Sequence, residues 1–292
     1  MEQPKLNLKK VRDFGEVIND TFIFLKQNFK PLFKILIPIS ILFVVANILL
    51  STFQLISLQD LVKENGTENI NGLINKSLAT SFITGLFASL VYFVVALTTY
   101  CYIAVYIENK SETPELAQVW GFFKYYFLRY IGIRLLTAIG IIVGFILCIL
   151  PGFYLIPIVS LTTAAVVLEN RGAFNAIGRA FTLIKQDWWM SFGTLVILIM
   201  ILYAFVLTLA LPSMILGGSA GLFTPNLNRP VYAIIIQSII SGISVYSYVI
   251  VIIGNSILFY SLVEKKESEG LLDRINDLDL NSTNSQDIKE EF

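Results

Sequence analysis

Five long runs without a charged residue constrain this chain more than any other feature: 35–58, 77–107, 135–168, 190–216 and 231–263, of 24, 31, 34, 27 and 33 residues. About 20 apolar residues cross the hydrocarbon core of a bilayer. The 135–168 run is long enough for two crossings and carries Pro151-Gly152 at its middle. Six transmembrane helices are therefore predicted, the third and fourth joined in a tight hairpin at that pair. Inside lipid every backbone polar group needs an internal partner, and helices supply it. The short alternating segments of a membrane β-barrel are absent from the sequence. The first run starts more than thirty residues into the chain and other runs follow it, so it is not read as a cleavable signal.

Composition points the same way. Hydrophobic residues make up 55% of the chain, mean hydropathy is +0.72 and 14% is charged, against about 25% charged in soluble domains. A soluble globular fold is excluded. Histidine is absent, which removes His-based triads, His metal sites and His general bases. The 21 basic and 21 acidic residues balance, so net charge points to no class of partner, and no nucleic acid is expected. Cys101 and Cys148 both sit in apolar runs and imply no disulfide framework.

The segments between the runs set the orientation. Lys and Arg divide 18 to 3 in favour of the side that holds both termini, and the positive-inside rule places that side in the cytoplasm. Each arm of 135–168 has 16 residues, roughly 24 Å at 1.5 Å per residue. Arg134 can snorkel and lengthen the first arm. Full crossing is the expected arrangement, and a re-entrant hairpin would leave the charge pattern intact.

The chain also resembles itself. A shift of 61 residues brings Glu108-Asn109-Lys110 onto Glu169-Asn170-Arg171, Trp120 onto Phe181, Lys124 onto Lys185 and Phe127 onto Trp188. A shift of 159 brings Ile18, Phe22, Leu25, Lys26, Gln27, Asn28 and Phe29 onto Ile177, Phe181, Ile184, Lys185, Gln186, Asp187 and Trp188. Val263-Glu264-Lys265-Lys266 closes the last stretch as Ile107-Glu108-Asn109-Lys110 and Leu168-Glu169-Asn170-Arg171 close the earlier ones. Chance likeness among apolar segments is the competing account. The polar matches, and the identical 16-residue step from Glu108 to Lys124 and from Glu169 to Lys185, argue against it. The predicted fold is an all-α membrane bundle of six spans in three repeats (about 13–110, 111–171 and 172–266), each opened by an amphipathic helix. It forms one membrane domain, 1–266. The tail 267–292 is acidic, and most of it is expected to be disordered.

Apolar residues recur at helical spacing ahead of each odd-numbered span: Phe14, Val17, Thr21, Phe22 and Phe29, then Leu116, Trp120, Phe123 and Phe127, then Phe174, Phe181, Ile184 and Trp188. Such helices lie in the membrane interface with the apolar face down, and Phe22, Trp120, Phe181 and Trp188 are the expected anchors. A helix packed on neighbouring loops is the alternative. The repeated Glu108, Glu169 and Glu264 end even-numbered spans, where the helix dipole favours a cation over a carboxylate. They are expected to point back to the interfacial helices and pair with Lys26, Lys124 or Lys185, or to accept N–H bonds at a helix start.

No catalytic, metal or cofactor motif is present, and the reading places no ionisable residue inside a span. Asn47, Gln54, Gln237 and Asn255 are read as hydrogen-bonding between helices rather than as a substrate site. Tyr246 and Tyr248 are read as bundle packing or an outer aromatic contact rather than as nucleophiles. Gly140 and Gly144 form a GxxxG pair suited to close helix contact, and Pro38, Pro157 and Pro212 are expected to kink helices.

The string Leu150-Pro151-Gly152-Phe153-Tyr154-Leu155, followed by Leu168-Glu169-Asn170-Arg171-Gly172 and 173–188, resembles the membrane domain that accompanies some glycerophosphoryl diester phosphodiesterases and related bacterial multi-spanning proteins. The likeness covers about 134–189, and the rest matches in architecture only. In the fused members catalysis belongs to a separate soluble domain, for which this sequence has neither room nor histidine. The resemblance implies a bacterial cytoplasmic membrane protein. The expected role is non-enzymatic: a lipid-contacting scaffold or a partner subunit in the envelope, with membrane lipids and a membrane protein as partners. A transporter or channel for a neutral or amphipathic solute is the alternative, and a membrane enzyme comes third. A continuous polar cavity would favour transport. A bundle packed shut, with grooves facing lipid, would favour the scaffold.

Overall fold

The computed structural model describes residues 6–65, 70–109, 112–147, 149–216 and 230–287. They form α1 (Phe14–Asn65), α2 (Ile70–Glu108), α3 (Leu116–Leu147), α4 (Ile149–Leu168), α5 (Ala173–Leu216), α6 (Val231–Ser244), a 3-10 turn (Val245–Ser247) and α7 (Tyr248–Asp287). No strand occurs among the described residues. Six helical stretches are long and apolar enough to cross a membrane.

Local chemistry sets the ends of these helices. A capping box opens α1: the Glu16 N–H donates to Asp13 Oδ1 at 2.7 Å and the Asp13 N–H to Glu16 Oε2 at 3.1 Å. The turn between α3 and α4 comes earlier than the sequence suggested. Pro151 and Gly152 lie in the first turn of α4, where proline costs nothing because its missing N–H has no helical partner to lose. Helix α3 ends at Leu147 and α4 begins at Ile149; Cys148 lies outside the described residues. The 20 residues of α4 therefore span about 30 Å, a full hydrocarbon thickness. The hairpin closes tightly at Gly144, where a Cβ would sit 3.3 Å from the Gly152 Cα. Gly140 meets nothing within 4 Å, so only one member of the GxxxG pair is used. Beyond α4, Asn170 takes the left-handed conformation at φ 52° and turns the chain.

The helices differ in how their segments join. The amphipathic segments are not separate helices in α1 and α3, which run on into their spans; α1 does so through Pro31, whose missing N–H removes one rung of the hydrogen-bond ladder. In α5 the junction does show, as non-helical backbone at Asp187 (φ −115°, ψ 31°). The sixth span breaks at the 3-10 turn Val245–Ser247, in a stretch of serines whose hydroxyls bond back to their own helix, such as Ser244 Oγ to the Ser241 carbonyl at 2.7 Å. Pro38, Pro157 and Pro212 lie inside α1, α4 and α5, where each removes one hydrogen bond of the helix. The last helix, α7, is described as far as Asp287.

The core is built around the first half of α7, which packs against α1, α2, α4 and α5. Residues 94–103 of α2, 161–167 of α4 and 249–263 of α7 are buried without a gap. This buried zone lies toward the end of the bundle where α1, α3 and α5 begin, called here the terminal end. Toward the opposite, hairpin end the helices splay apolar side chains outward: Leu42 is 75% exposed, and Ile146 and Leu150 are both 78%. In lipid such faces need no protein cover, and helices associate through packing and hydrogen bonds rather than hydrophobic transfer. Gly254 provides one close approach: a Cβ there would lie 2.4 Å from Leu198 Cδ1 and 3.1 Å from Thr21 Oγ1, so α7 runs tight against α5 and α1.

Candidate functional site

The terminal end is held by charge. Residues 6–13 strap across it and close on α7, where the Arg12 N–H donates to Ser261 Oγ at 2.8 Å and that hydroxyl donates back to the Arg12 carbonyl at 3.1 Å. The Arg12 side chain is 1% exposed. Its Nε donates to Asp20 Oδ2 at 2.7 Å, Nη1 donates to the Leu8 and Lys10 carbonyls at 2.8 and 3.0 Å, and Nη2 donates to the Asn7 carbonyl. Across the bundle, Lys265 Nζ donates to both oxygens of Asp187, at 2.7 and 3.0 Å, across the break in α5.

One level deeper, the three buried helices share a polar knot. Asn255 of α7, 1% exposed, donates from Nδ2 to the Tyr100 hydroxyl of α2 at 2.6 Å and to the Ser160 carbonyl of α4 at 3.0 Å. Its Oδ1 accepts the Ser160 hydroxyl at 2.8 Å. The interhelical role read for Asn255 matches this geometry. Gln54 likewise donates to Ser81 Oγ at 2.9 Å, from α1 to α2. Asn47 differs, because its buried Nδ2 has no partner among the described residues.

The bundle's most distinctive chemistry lies beside this knot, at Arg134. Sequence reading set this residue at the edge of a span. The structure puts it inside the apolar stretch of α3, 13 residues before Leu147 and so about 20 Å from the hairpin end. Its Nε donates to the Tyr130 hydroxyl at 3.2 Å, and its guanidinium carbon lies 5.3 Å from the Tyr130 ring centroid. Among the described residues no carboxylate comes within 4.0 Å of it. It lines a groove of about 780 Å³ between α2, α3, α5 and α7. Tyr92, Tyr203, Tyr248 and Ser89 supply hydroxyls to the lining, and Leu90, Phe93, Leu135 and Leu202 are among its apolar residues. Exposed Leu135 and Tyr203 on the lining show that the groove opens sideways. The sequence signal for this site was a lone arginine bounding an uncharged run, which reads equally well as an interfacial anchor.

The repeated glutamates take different surroundings. Glu169 accepts from Arg171, two positions on, and from Arg179 Nη2 of α5 at 3.1 Å, and Arg179 also reaches Glu267 at 3.3 Å. Its partner on the following segment is thus an arginine, not Lys185. Glu108 rims an open cleft of about 640 Å³ with Gln118, Tyr125 and Asn170. Among the described residues neither Glu108 nor Glu264 has a basic nitrogen within 4.0 Å, while Lys110 lies outside them. Lys26, Lys124 and Lys185 are all exposed, and Lys124 Nζ lies 5.3 Å from the Trp120 ring centroid. Phe22, Trp120 and Phe181 are exposed to 41, 41 and 42%. Trp188 is half-buried instead: it stacks between Tyr154 and Phe192 at 5.6 and 5.0 Å and donates to the Tyr154 carbonyl at 3.1 Å. The outward tryptophan is its neighbour Trp189, 79% exposed. Cys101 is a free, buried thiol.

No family model matches the chain, and no curated protein or solved structure matches it either.

Proposed function

We propose that this protein is a non-enzymatic, lipid-contacting integral membrane protein: a scaffold or partner subunit of a bacterial cytoplasmic membrane. One observation carries the reading. The centre of the bundle is closed by buried side chains and tied by the Tyr100–Asn255–Ser160 knot, whereas the Arg134 groove opens to the side. A solute path needs the opposite arrangement. The likeness of 134–189 to a membrane domain whose partner domain does the catalysis agrees with this reading. Vesicles containing the purified protein should release glycerol or sucrose no faster than protein-free vesicles, and phospholipid should remain bound after detergent extraction. Protein-dependent solute release would replace this reading with the transporter.

The architecture we propose has three repeats, each opening on an amphipathic segment at the interface. Burial supports it. At positions related by the two sequence shifts, Thr21, Val119 and Ala180 are all buried, as are Leu32, Tyr130 and Ser191, and then Ile35, Ile133 and Thr194. The aromatics at the equivalent outward position, Phe22, Trp120 and Phe181, share almost the same exposure. Both termini are assigned to the cytoplasm from the 18 to 3 division of basic residues. Single cysteines replacing Asn69 and Asn226 should react in intact cells with an impermeant thiol reagent, and one replacing Ser285 should not. Labelling at Ser285 without permeabilisation would reverse the orientation.

A further inference from the structure

We propose that Arg134 and its groove bind an acidic amphiphile, with a carboxylate or phosphate monoester headgroup against the guanidinium and an acyl chain along the apolar wall. The proposal rests on the lipid-contacting reading and adds a ligand class and a site to it.

Depth is the first argument. With α4 as a yardstick of about 30 Å, Arg134 at about 20 Å from the hairpin end lies roughly 10 Å inside the opposite boundary. A cation at that depth is costly, and intramembrane ionisable residues pair with an opposite charge or face a cavity. Arg134 faces the cavity, and among the described residues no carboxylate pairs with it. Arginine carries five N–H donors. Its side-chain hydrogen bonds go to two hydroxyls, Tyr130 through Nε and Tyr248, neither of which carries a charge. Two hydroxyl partners leave N–H donors of the guanidinium over, and its planar fork is the geometry that carboxylate and phosphate oxygens accept.

The groove is the second argument. Its volume of about 780 Å³ lies in the range of small-molecule sites. Leu90, Phe93, Leu135, Ala138, Leu202 and Val206 give it a long apolar wall. The hydroxyl-bearing Tyr92, Tyr203 and Tyr248 supply O–H donors for the headgroup oxygens that arginine leaves free. The exposure of Leu135 and Tyr203, at 62 and 63%, gives an acyl chain a lateral way in from the bilayer. A zwitterionic headgroup suits the site poorly. It would carry an ammonium below the interface to a groove whose lining holds no acidic residue. An acid with one small headgroup brings only the charge that Arg134 neutralises.

The test measures binding to the purified full-length protein in phosphatidylcholine nanodiscs, using oleate, dioleoyl phosphatidic acid and inorganic phosphate as probes. We expect oleate or phosphatidic acid to bind saturably in preference to phosphatidylcholine, and inorganic phosphate not to compete. Arg134→Gln should weaken binding at least tenfold, the loss of one charge-assisted pair, and Arg134→Lys should weaken it less. Leu135→Trp narrows the mouth of the groove without touching the cation. It should also weaken binding at least tenfold, which guards against a folding defect at Arg134 being taken for a binding effect. Equal affinity for the acidic probes in the unaltered protein and in a folded Leu135→Trp variant would overturn the site. So would displacement of the lipid probes by inorganic phosphate, which would mean a plain anion site. Retained phospholipid without any preference for acidic probes would sink this proposal and leave the lipid-contacting reading standing, whereas solute release from vesicles would remove both.

Discussion

Replacing Asp20 with alanine should destabilise the folded protein by about 3 kcal/mol. Truncating one partner of a buried ion pair costs about 3–5 kcal/mol, because the other charge is left uncompensated. The low end applies because Asp20 keeps 16% exposure while Arg12 keeps 1%, so some water reaches the vacated side. Backbone carbonyls of Asn7, Leu8 and Lys10 still hold the guanidinium, but none carries a charge. Reversible unfolding in detergent micelles measures the loss. The double variant Arg12→Met with Asp20→Leu should recover much of it, since it removes the buried charge itself. A change below about 1 kcal/mol for Asp20→Ala, the value of a surface pair, would show that the pair is solvated.

Asn255→Ala should cost about 2–4 kcal/mol. It removes three hydrogen bonds that join α2, α4 and α7, and bonds between helices in membranes contribute about 0.6–1.7 kcal/mol each. The Tyr100 hydroxyl would then turn to Thr163 Oγ1, now 3.5 Å away, and recover part of the loss. Tyr100→Phe, which removes only one of the three bonds, should cost about 1 kcal/mol by the same measure. Unfolding in micelles with both variants separates the knot from ordinary packing. If Asn255→Ala costs no more than Tyr100→Phe, the knot contributes little.

The spans were legible because an uncharged run of more than 20 residues has one main physical explanation in a chain this apolar. The start of α4 ahead of Pro151-Gly152 was not, since that pair suits the first turn of a helix as well as it suits a reversal. Helix continuity was hard to read for a similar reason. The junction at Asp187 and those in α1 and α3 carry similar sequence, yet only Asp187 breaks its helix. Its carboxylate is taken by Lys265, a contact across 78 residues that no local pattern encodes. Arg134 illustrates the limit most clearly. Sequence fixes its place along α3, but only the packing of α2, α5 and α7 around it makes a groove. The glutamates were visible as a pattern, whereas the partner of Glu169 depends on where Arg179 falls when α5 packs back on α4.

The Arg12–Ser261 contact has a consequence for biogenesis. Its two residues are separated by 249 positions, so the strap made first waits for a helix made last. At about 5–20 residues per second, the ribosome needs roughly 12–50 s to bridge that interval. Throughout it the Arg12 backbone amide lacks its Ser261 partner, and the strap remains open to water, proteases and the insertion machinery. A nascent chain halted before α7 would therefore display its N-terminal segment, and a completed one would conceal it.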